Sequence, residues 1–226
     1  MRLFLIRHGQ TPHNVAGALD TAFPGAGLTP LGQSQARAIP DALAGEDIAG
    51  IYASRLVRTQ LTAAPLAESR GLDARVRTGL EEIAAGEFEL RADSNAVHAY
   101  AGCLVSWMRG NLEHSLPGGT DGHEFYGRYE AALRTIAKEH DDDDTVVVFS
   151  HGAAIRVYTA LAARLDPEVS TELRIMNTGV SMLEGHPEAG WELARWSSEP
   201  LGGLQLEDLQ AHDVTGESAE EAIHEP

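Results

Sequence analysis

Two histidines stand in the same local context at distant points of the chain. His8 lies in an Arg-His-Gly triplet after the apolar run 3–6, and His151 lies in a Ser-His-Gly triplet after the apolar run 145–149. A neutral imidazole is a competent nucleophile near pH 7, and an adjacent glycine lets the backbone approach a bound anion. Ligand sites in open α/β sheets lie beyond the carboxyl ends of strands. We therefore expect one site for both histidines if the two runs are neighbouring strands, although each alone fits a polar strand end.

The charge balance shapes what such a site can bind. The chain has 34 acidic and 17 basic residues and a net charge of −17, which argues against nucleic acid and anionic membranes as partners. An anionic substrate would need positive charge concentrated locally. Lys138 is the only lysine, so nearly all of the positive charge is arginine, whose planar fork donates two parallel hydrogen bonds to a phosphate. The sequence predicts an arginine-built anion site.

Length and composition fit one soluble domain. The chain has 226 residues, of which 43% are hydrophobic and 23% charged. Only four apolar residues precede Arg7, too few for a signal peptide or a membrane span, and the single cysteine, Cys103, allows no internal disulfide. We expect a cytoplasmic protein with one domain over residues 1–198. Residues 199–226 contain no lysine or arginine and are predicted to form an acidic tail, either a weakly ordered surface segment or a partner arm.

Strand and helix patterns alternate along the chain. Strands are predicted at 3–6, 48–53, 74–76, 145–149, 179–183 and 191–196. Helices are predicted at 31–43, 56–69, 94–113, 124–140 and 153–165, with Thr29 as an N-cap, Pro30 as a first helical residue and Gly71 as a stop. This alternation predicts an α/β fold, a three-layer α/β/α sandwich around a mostly parallel central sheet.

Five short motifs occur in one order, and with them the sequence resembles the histidine phosphatase superfamily, also called phosphoglycerate mutase-like. They are the Arg-His-Gly motif at 7–11 with Asn14 after it, a helix start at 28–36, an arginine motif at 54–58, an acid motif at 80–86 and the Ser-His-Gly motif at 150–152. The matches span most of residues 1–183. A single such triplet is weak evidence, whereas five motifs in family order are strong. The resemblance implies a phosphoglycerate mutase-like fold.

The resemblance also implies a role for each motif residue. His8 would attack phosphorus and form a phosphohistidine, and Glu82 would protonate the leaving oxygen and then help to activate water. The implied catalytic set is His8, Glu82, His151, Arg7 and Arg58. The implied phosphate-binding set is Arg7, Asn14, Arg58, His151, Gly152, Gln10 and Thr11, with backbone amides near Gly9 and Gly152. No metal or cofactor is expected, because arginines and histidines supply the positive charge.

Several of these residues have plainer explanations. Arg58 fits equally well as a surface arginine at a helix start, and Asn14 as a turn or cap residue. Glu81 competes with its neighbour for the acid role, although the four-residue spacing to Gly86 favours Glu82. The family often has Trp-Glu-Gly where residues 88–90 read Phe-Glu-Leu, and its helix glutamine is displaced after the arginine motif. These departures weaken any inference about the natural substrate.

Three functions are compatible with the motifs. A phosphomonoesterase that acts on a small phosphorylated metabolite and releases inorganic phosphate is favoured. A cofactor-dependent phosphoglycerate mutase is second, because residues 87–144 contain few basic residues and lack the mutases' extended motif. A non-catalytic phosphate-binding relative is third, since all five catalytic positions are intact. A serine hydrolase is excluded because the chain has no Gly-x-Ser-x-Gly elbow. The oligomeric state is not readable, a homodimer being one option.

Overall fold

A computed structural model describes residues 1–208, 211 and 213–218. Its strands are β1 (Arg2–Arg7), β2 (Ile48–Ala53), β3 (Ala74–Val76), β4 (Thr145–Ser150), β5 (Val180–His186) and β6 (Gly190–Ser197). Its α-helices are α1 (Pro12–Val15), α2 (Pro30–Ala42), α3 (Val57–Arg70), α4 (Ser94–Met108), α5 (Gly122–Ala137), α6 (Gly152–Ala162) and α7 (Pro167–Glu172). None of the helices in the described ranges is both long enough and apolar enough to cross a membrane.

The strands form one sheet in the order β3-β2-β4-β1-β5-β6. The first four are parallel, and β5 and β6 add an antiparallel hairpin beside β1. Strands β1 and β4 are neighbours, with Arg7 opposite Ser150. His8 and His151 therefore leave the sheet side by side, and the amide of His8 donates to the carbonyl of Ser150 at 3.0 Å.

Side chains alternate between two cores, one on each face of the sheet. In β1, Leu3 and Leu5 pack with α4, α5 and α6, whereas Phe4 and Ile6 pack with α2 and α3. All four side chains are at most 3% exposed. This period of two in a central strand with helices on both faces confirms the expected three-layer α/β/α sandwich.

Most predicted boundaries are confirmed by local capping. The side chain of Thr29 accepts from the amide of Gly32 at 3.0 Å and starts α2, and Gly71 ends α3 in the left-handed region at φ 64°. The helix predicted at 94–113 is too long. It ends at Met108, and Gly110 follows in the left-handed region at φ 94°, which turns the chain away. Helix α7 was missed because six residues are too few to show a helical period.

Part of the C-terminal segment packs onto the domain. Residues 213–218 are buried instead of forming the expected surface segment. The carbonyl of Leu206 accepts from the Gln35 side chain at 2.8 Å, which anchors the segment to α2. The remainder of the predicted tail, 209, 210, 212 and 219–226, lies outside the described residues.

The loop after His8 passes directly under the start of α2. A Cβ placed on Gly32 would lie 2.2 Å from the carbonyl oxygen of Gln10, and one on Gly9 would lie 2.6 Å from the carbonyl oxygen of Gly32. Real Cβ atoms do not approach backbone so closely, so both positions require glycine. The helix start therefore fixes the loop that carries His8.

We predict that Gly32→Ala lowers the free energy of unfolding by about 1–3 kcal/mol, because the new methyl group must displace backbone. The matched control is Gly102→Ala in α4, where a Cβ would meet no atom within 4 Å. We expect Gly102→Ala to be neutral or stabilising by up to about 1 kcal/mol. Urea unfolding of the three proteins measures both effects, and equal stability of Gly32→Ala and wild type would contradict the close approach.

Candidate active site

His8 is buried with one ring nitrogen anchored. The side chain is 2% exposed, and Nδ1 lies 2.8 Å from the carbonyl oxygen of Gly9. A carbonyl only accepts, so the neutral ring carries its hydrogen on Nδ1 and leaves a lone pair on Nε2. Burial, followed by the charges of Arg58 and Arg7, lowers the pKa of His8 well below its ordinary value. The ring is therefore neutral at neutral pH, and its Nε2 lone pair is able to attack an electrophile.

His151 faces His8 from the end of β4. The two ring centroids are 5.3 Å apart, and Nε2 of His151 lies 2.7 Å from the hydroxyl of Ser54. When Ser54 donates this bond, the hydrogen of the neutral ring sits on Nδ1, which is buried and has no partner among the described residues. Burial first, and the charge of Arg58 second, lowers the pKa of His151 well below its ordinary value. Its Nδ1 can then donate to an anion beside His8.

Glu82 is held by backbone amides at the start of α6. Its Oε1 accepts from Ile83 and Ala154 at 2.9 and 2.8 Å, and Oε2 accepts from Ala153 at 3.2 Å. The side chain is 3% exposed, and burial raises its pKa against the opposing effect of these amides. A buried carboxyl with a raised pKa is suited to donate a proton near neutral pH.

The neighbouring Glu81 has a different task. Its carboxylate lies 3.0 Å from Arg55 and 3.6 Å from Arg128. Arg128 also donates to the backbone carbonyl of Glu82 at 2.7 Å. Glu81 thus holds the segment in place, while Glu82 lines the same cavity as His8.

Arg58 is buried, not at the surface. It is 2% exposed, its Nη2 donates to the carbonyl of Asp20 at 2.7 Å, and its Nη1 lies 3.3 Å from the Asp20 carboxylate. The loop that holds it turns at Gly25, φ 71°, where a Cβ would lie 2.3 Å from Nη1. Burial lowers the pKa of Arg58, an effect that Asp20 opposes. The contacts with Asp20 use Nη1 and Nη2, and Nε has no acceptor among the residues described.

Arg7 is completely buried and faces the C-terminal segment. Nη1 donates to the carbonyl of Ile175 at 2.9 Å and lies 2.6 Å from Asp213 Oδ2. Nη2 donates to Asp213 Oδ1 at 2.6 Å and to the hydroxyl of Thr215 at 2.7 Å. Within the described part of the chain, Nε has no acceptor.

At this site three buried nitrogens have no acceptor in the described chain: Arg7 Nε, Arg58 Nε and, when Ser54 donates to its Nε2, His151 Nδ1. Leaving buried donors unpaired costs about 1–3 kcal/mol each, and more for charged groups. A small, tight cavity lies beside His8, Arg58 and Glu82. Of these three residues Arg58 lines the cavity, so an anion there would lie beside its unpaired Nε.

The cavity collects most of the expected residues but not all of them. Besides His8, Arg58 and Glu82, its wall includes Thr11 and Asn14. Arg7, His151, Gly152 and Gln10 do not line it. The amide of Gly9 donates to the hydroxyl of Thr62 at 2.9 Å and is not free for an anion.

Gln10 and Asn14 show how the loop is built. The side chain of Gln10 accepts from the Thr29 hydroxyl and donates to Asp208, both at 2.8 Å, so it faces away from the cavity. Asn14 accepts from the amide of Thr11 at 2.9 Å and closes a capping box on α1. Asn14 is thus both a cap residue and part of the cavity wall.

Sequence reasoning missed the acidic and hydroxyl partners of the site. Asp20, Asp213 and Thr215 carried no recognisable motif, and Ser54 was noted only as part of the arginine motif. Each contacts a motif residue far away in the chain, so no local pattern could have revealed it. Across the described ranges there is no cluster of three or more His, Cys, Asp and Glu side chains placed to hold a metal ion.

A larger space adjoins the small cavity at Glu82. It has a volume of about 400 Å³ and lies between the loop 21–23 and residues 81–89. Glu89 shapes its wall, because its carboxylate accepts from the amides of Thr21 and Ala22 and from the Thr21 hydroxyl. This space can accept a larger group attached to an anion in the small cavity.

Comparison with known proteins matches this chain to one protein family. The family model for the histidine phosphatase superfamily (branch 1) matches residues 3–199. Among solved structures, a mycobacterial glucosyl-3-phosphoglycerate phosphatase superposes with a TM-score of 0.74 at 26% identity, covering 88% of this chain and 99% of that one.

Two proteins with similar sequences differ in how much of their own length this chain matches. The PE-PGRS family protein PE_PGRS11 of Mycobacterium tuberculosis is 40% identical over 224 residues, which cover 92% of this chain and 38% of that protein. The chain therefore spans well under half the length of this relative. The probable phosphoglycerate mutase GpmB of Enterobacter sp. is 28% identical over 217 residues, covering 94% of this chain and 98% of the relative.

The two buried histidines predict a loss of stability in acid. Their folded pKa values lie below the ordinary 6.5, so below that pH the unfolded chain binds protons that the folded protein does not. We expect the free energy of unfolding to fall as pH decreases from about 6.5, by up to about 1.4 kcal/mol per pH unit for each histidine. Glu82 acts in the opposite sense, because its raised pKa lets the folded state take up a proton first.

Urea unfolding of wild type and His8→Gln/His151→Gln between about pH 7.5 and pH 5.5 isolates the histidine contribution. The double variant should lose less stability over this range, whereas the exposed control His123→Gln should follow wild type. Parallel curves for wild type and the double variant would show that the buried rings do not have lowered pKa values.

Proposed function

The chain belongs to the histidine phosphatase superfamily, and we propose that it is a phosphomonoesterase that hydrolyses a small phosphorylated metabolite through a phosphohistidine on His8. The observation that carries this proposal is a cavity lined by His8, Glu82 and Arg58, whose Nε is an unpaired buried donor. Two more unpaired nitrogens lie on the neighbours of His8: Arg7, which precedes it in the chain, and His151, whose ring centroid is 5.3 Å away. A nucleophile, an acid and free donors for phosphoryl oxygens are the parts that phosphoryl transfer requires.

In the first step, Nε2 of His8 attacks phosphorus. The new N–P bond forms as the bond between phosphorus and the ester oxygen breaks, and the proton of Glu82 moves to the leaving oxygen. The hydrogen bond from Nδ1 to Gly9 keeps Nε2 unprotonated and aimed. Hydrogen bonds would stabilise the negative charge on the oxygens of the transferring phosphoryl group, and their donors would be Arg58 Nε, Arg7 Nε and His151 Nδ1.

In the second step, water attacks the phosphorus of the phosphohistidine. The Glu82 carboxylate accepts a proton from this water, the N–P bond breaks, and inorganic phosphate leaves. His8 returns to its neutral form, and Glu82 regains its proton for the next cycle. Hydrogen bonds from Ala153 and Ala154 stabilise the carboxylate between the two steps.

The larger space beside Glu82 would hold the rest of the substrate. Its two arginines, Arg55 and Arg128, both contact Glu81, and Glu89 adds another carboxylate to the wall. This balanced charge favours hydrolysis of a monoester over a mutase reaction, whose second substrate phosphate would need free cations. The similarity to a glucosyl-3-phosphoglycerate phosphatase supports a metabolite of comparable size.

A phosphoglycerate mutase is the second candidate, since a relative bears that name. Incubation with 3-phosphoglycerate and 2,3-bisphosphoglycerate separates the two activities. We expect release of inorganic phosphate from a phosphomonoester panel and no interconversion of phosphoglycerates. Rapid interconversion without phosphate release would instead identify a mutase.

We predict that His8→Ala lowers kcat for an aryl phosphate by at least about 10³-fold, because the covalent route is lost. Acid-labile phosphoryl label should be trapped on wild type and not on the variant. The matched control is His123→Ala, which changes an exposed histidine on α5. This variant should retain both turnover and the trapped phosphoryl label. Wild-type turnover by His8→Ala would refute the nucleophile assignment.

We predict that Glu82→Gln removes the alkaline limb of the pH profile of kcat/KM. Activity needs Glu82 protonated and His8 neutral, so the raised pKa of Glu82 moves the alkaline limb up and the lowered pKa of His8 moves the acid limb down. The loss of rate should be larger for alkyl than for aryl phosphates. Glu81→Gln is the control and should keep the alkaline limb. Loss of the alkaline limb in Glu81→Gln, with the limb retained in Glu82→Gln, would show that Glu81 is the acid.

A further inference from the structure

We propose that the C-terminal segment completes the active site, with Asp213 as a positioning residue for Arg7 and Asn14, and Thr215 as part of the phosphate cavity. The inference deepens the proposed function and rests on it. It assigns a role to two residues of a segment that the sequence marks only as acidic.

Asp213 holds the guanidinium of Arg7 end-on. Its two carboxylate oxygens lie 2.6 Å from Nη1 and 2.6 Å from Nη2, and both side chains are at most 3% exposed. The Oδ1 contact is a hydrogen bond, whereas Oδ2 makes a close ion pair without a hydrogen bond. Contacts from one carboxylate to both terminal nitrogens restrict the position of a guanidinium. The carbonyl of Ile175 and the hydroxyl of Thr215 also accept from Nη1 and Nη2, so that Nε is the one guanidinium nitrogen without a partner in the described chain.

The same carboxylate also orients Asn14. Asp213 Oδ1 accepts from the Asn14 side-chain amide at 3.1 Å, while the Asn14 oxygen accepts from the amide of Thr11. One carboxylate therefore connects two residues whose motif places them at the phosphate. Loss of the Asp213 carboxylate would release the side chains of Arg7 and Asn14 together.

Asp213 does not form part of the wall of the cavity beside His8. The cavity wall beside His8 includes Asn14 and Thr215 but not Asp213. Asp213 instead borders a separate small space together with Gln10. This position distinguishes a residue that supports the site from one that blocks it.

Thr215 joins the segment to the cavity itself. Its hydroxyl accepts from Arg7 Nη2 at 2.7 Å and lies in the same wall as His8 and Glu82. The next residue, Gly216, is in such close contact that a Cβ there would lie 1.9 Å from Arg7 Nη1. The carbonyl of Gly216 accepts from the amide of Ile175 at 2.8 Å, which fixes the segment over Arg7.

The test of Asp213 uses Asp213→Asn in the full chain. We expect kcat/KM for an aryl phosphate to fall by about 10- to 100-fold, mainly through KM, and the Kd of inorganic phosphate measured by calorimetry to rise in parallel. The control is Glu46→Gln, which removes a carboxylate that lies 2.8 Å from Arg2, at the opposite end of β1. It should leave both constants unchanged.

Two further comparisons separate positioning from folding. Asp213→Asn should add little to Arg7→Lys, because one variant acts through the other residue. Thr215→Val should weaken phosphate binding, and Thr215→Ser should restore it; this pair decides the question if Asp213→Asn does not fold.

Unchanged phosphate affinity in Asp213→Asn and Thr215→Val would overturn the proposal. Higher activity in Asp213→Asn would overturn it as well, and would identify the segment as an inhibitor. Because phosphate binding is measured without turnover, a wild type that binds phosphate and hydrolyses nothing would count against the proposed function alone.

Discussion

Burial of positive charge beside the ends of β1 and β2, the two strands that flank β4, is the constraint on which the rest of this structure depends. Two guanidinium groups lie almost completely inside a chain of net charge −17. Buried charges must be paired, and the carboxylates of Asp20 and Asp213 supply those pairs at the outer ends of Arg58 and Arg7. The inner Nε atoms stay unpaired, which is where an anion gains most.

The acidic residues around the site therefore divide into separate tasks. Asp20 and Asp213 hold cations, and Glu89 holds a loop through three hydrogen bonds. Glu82 is kept apart from direct cation contact by backbone amides at the start of α6, so burial raises its pKa. The same burial lowers the pKa of His8. Two opposite pKa shifts with one physical cause suit these two groups to the proposed roles of acid and nucleophile in one cavity.

Much of this arrangement could be predicted from the sequence because its signals are local. The apolar runs before His8 and His151 indicated buried strands, and Gly71 marked a helix end. The sequence could not reveal Asp213, which meets Arg7 from about 200 positions away, an interaction that only tertiary packing creates. Nor could it show that Gln10 turns away from the cavity, because Thr29 and Asp208 bind its side chain.

The most direct test of the account is a crystal structure of the protein with vanadate, which takes a trigonal bipyramidal form like phosphorus in transfer. The account predicts a bond from vanadium to His8 Nε2, with vanadate oxygens contacting Arg58 Nε, Arg7 Nε and His151 Nδ1. Vanadate bound elsewhere, or bound with the His8 ring turned away, would contradict it.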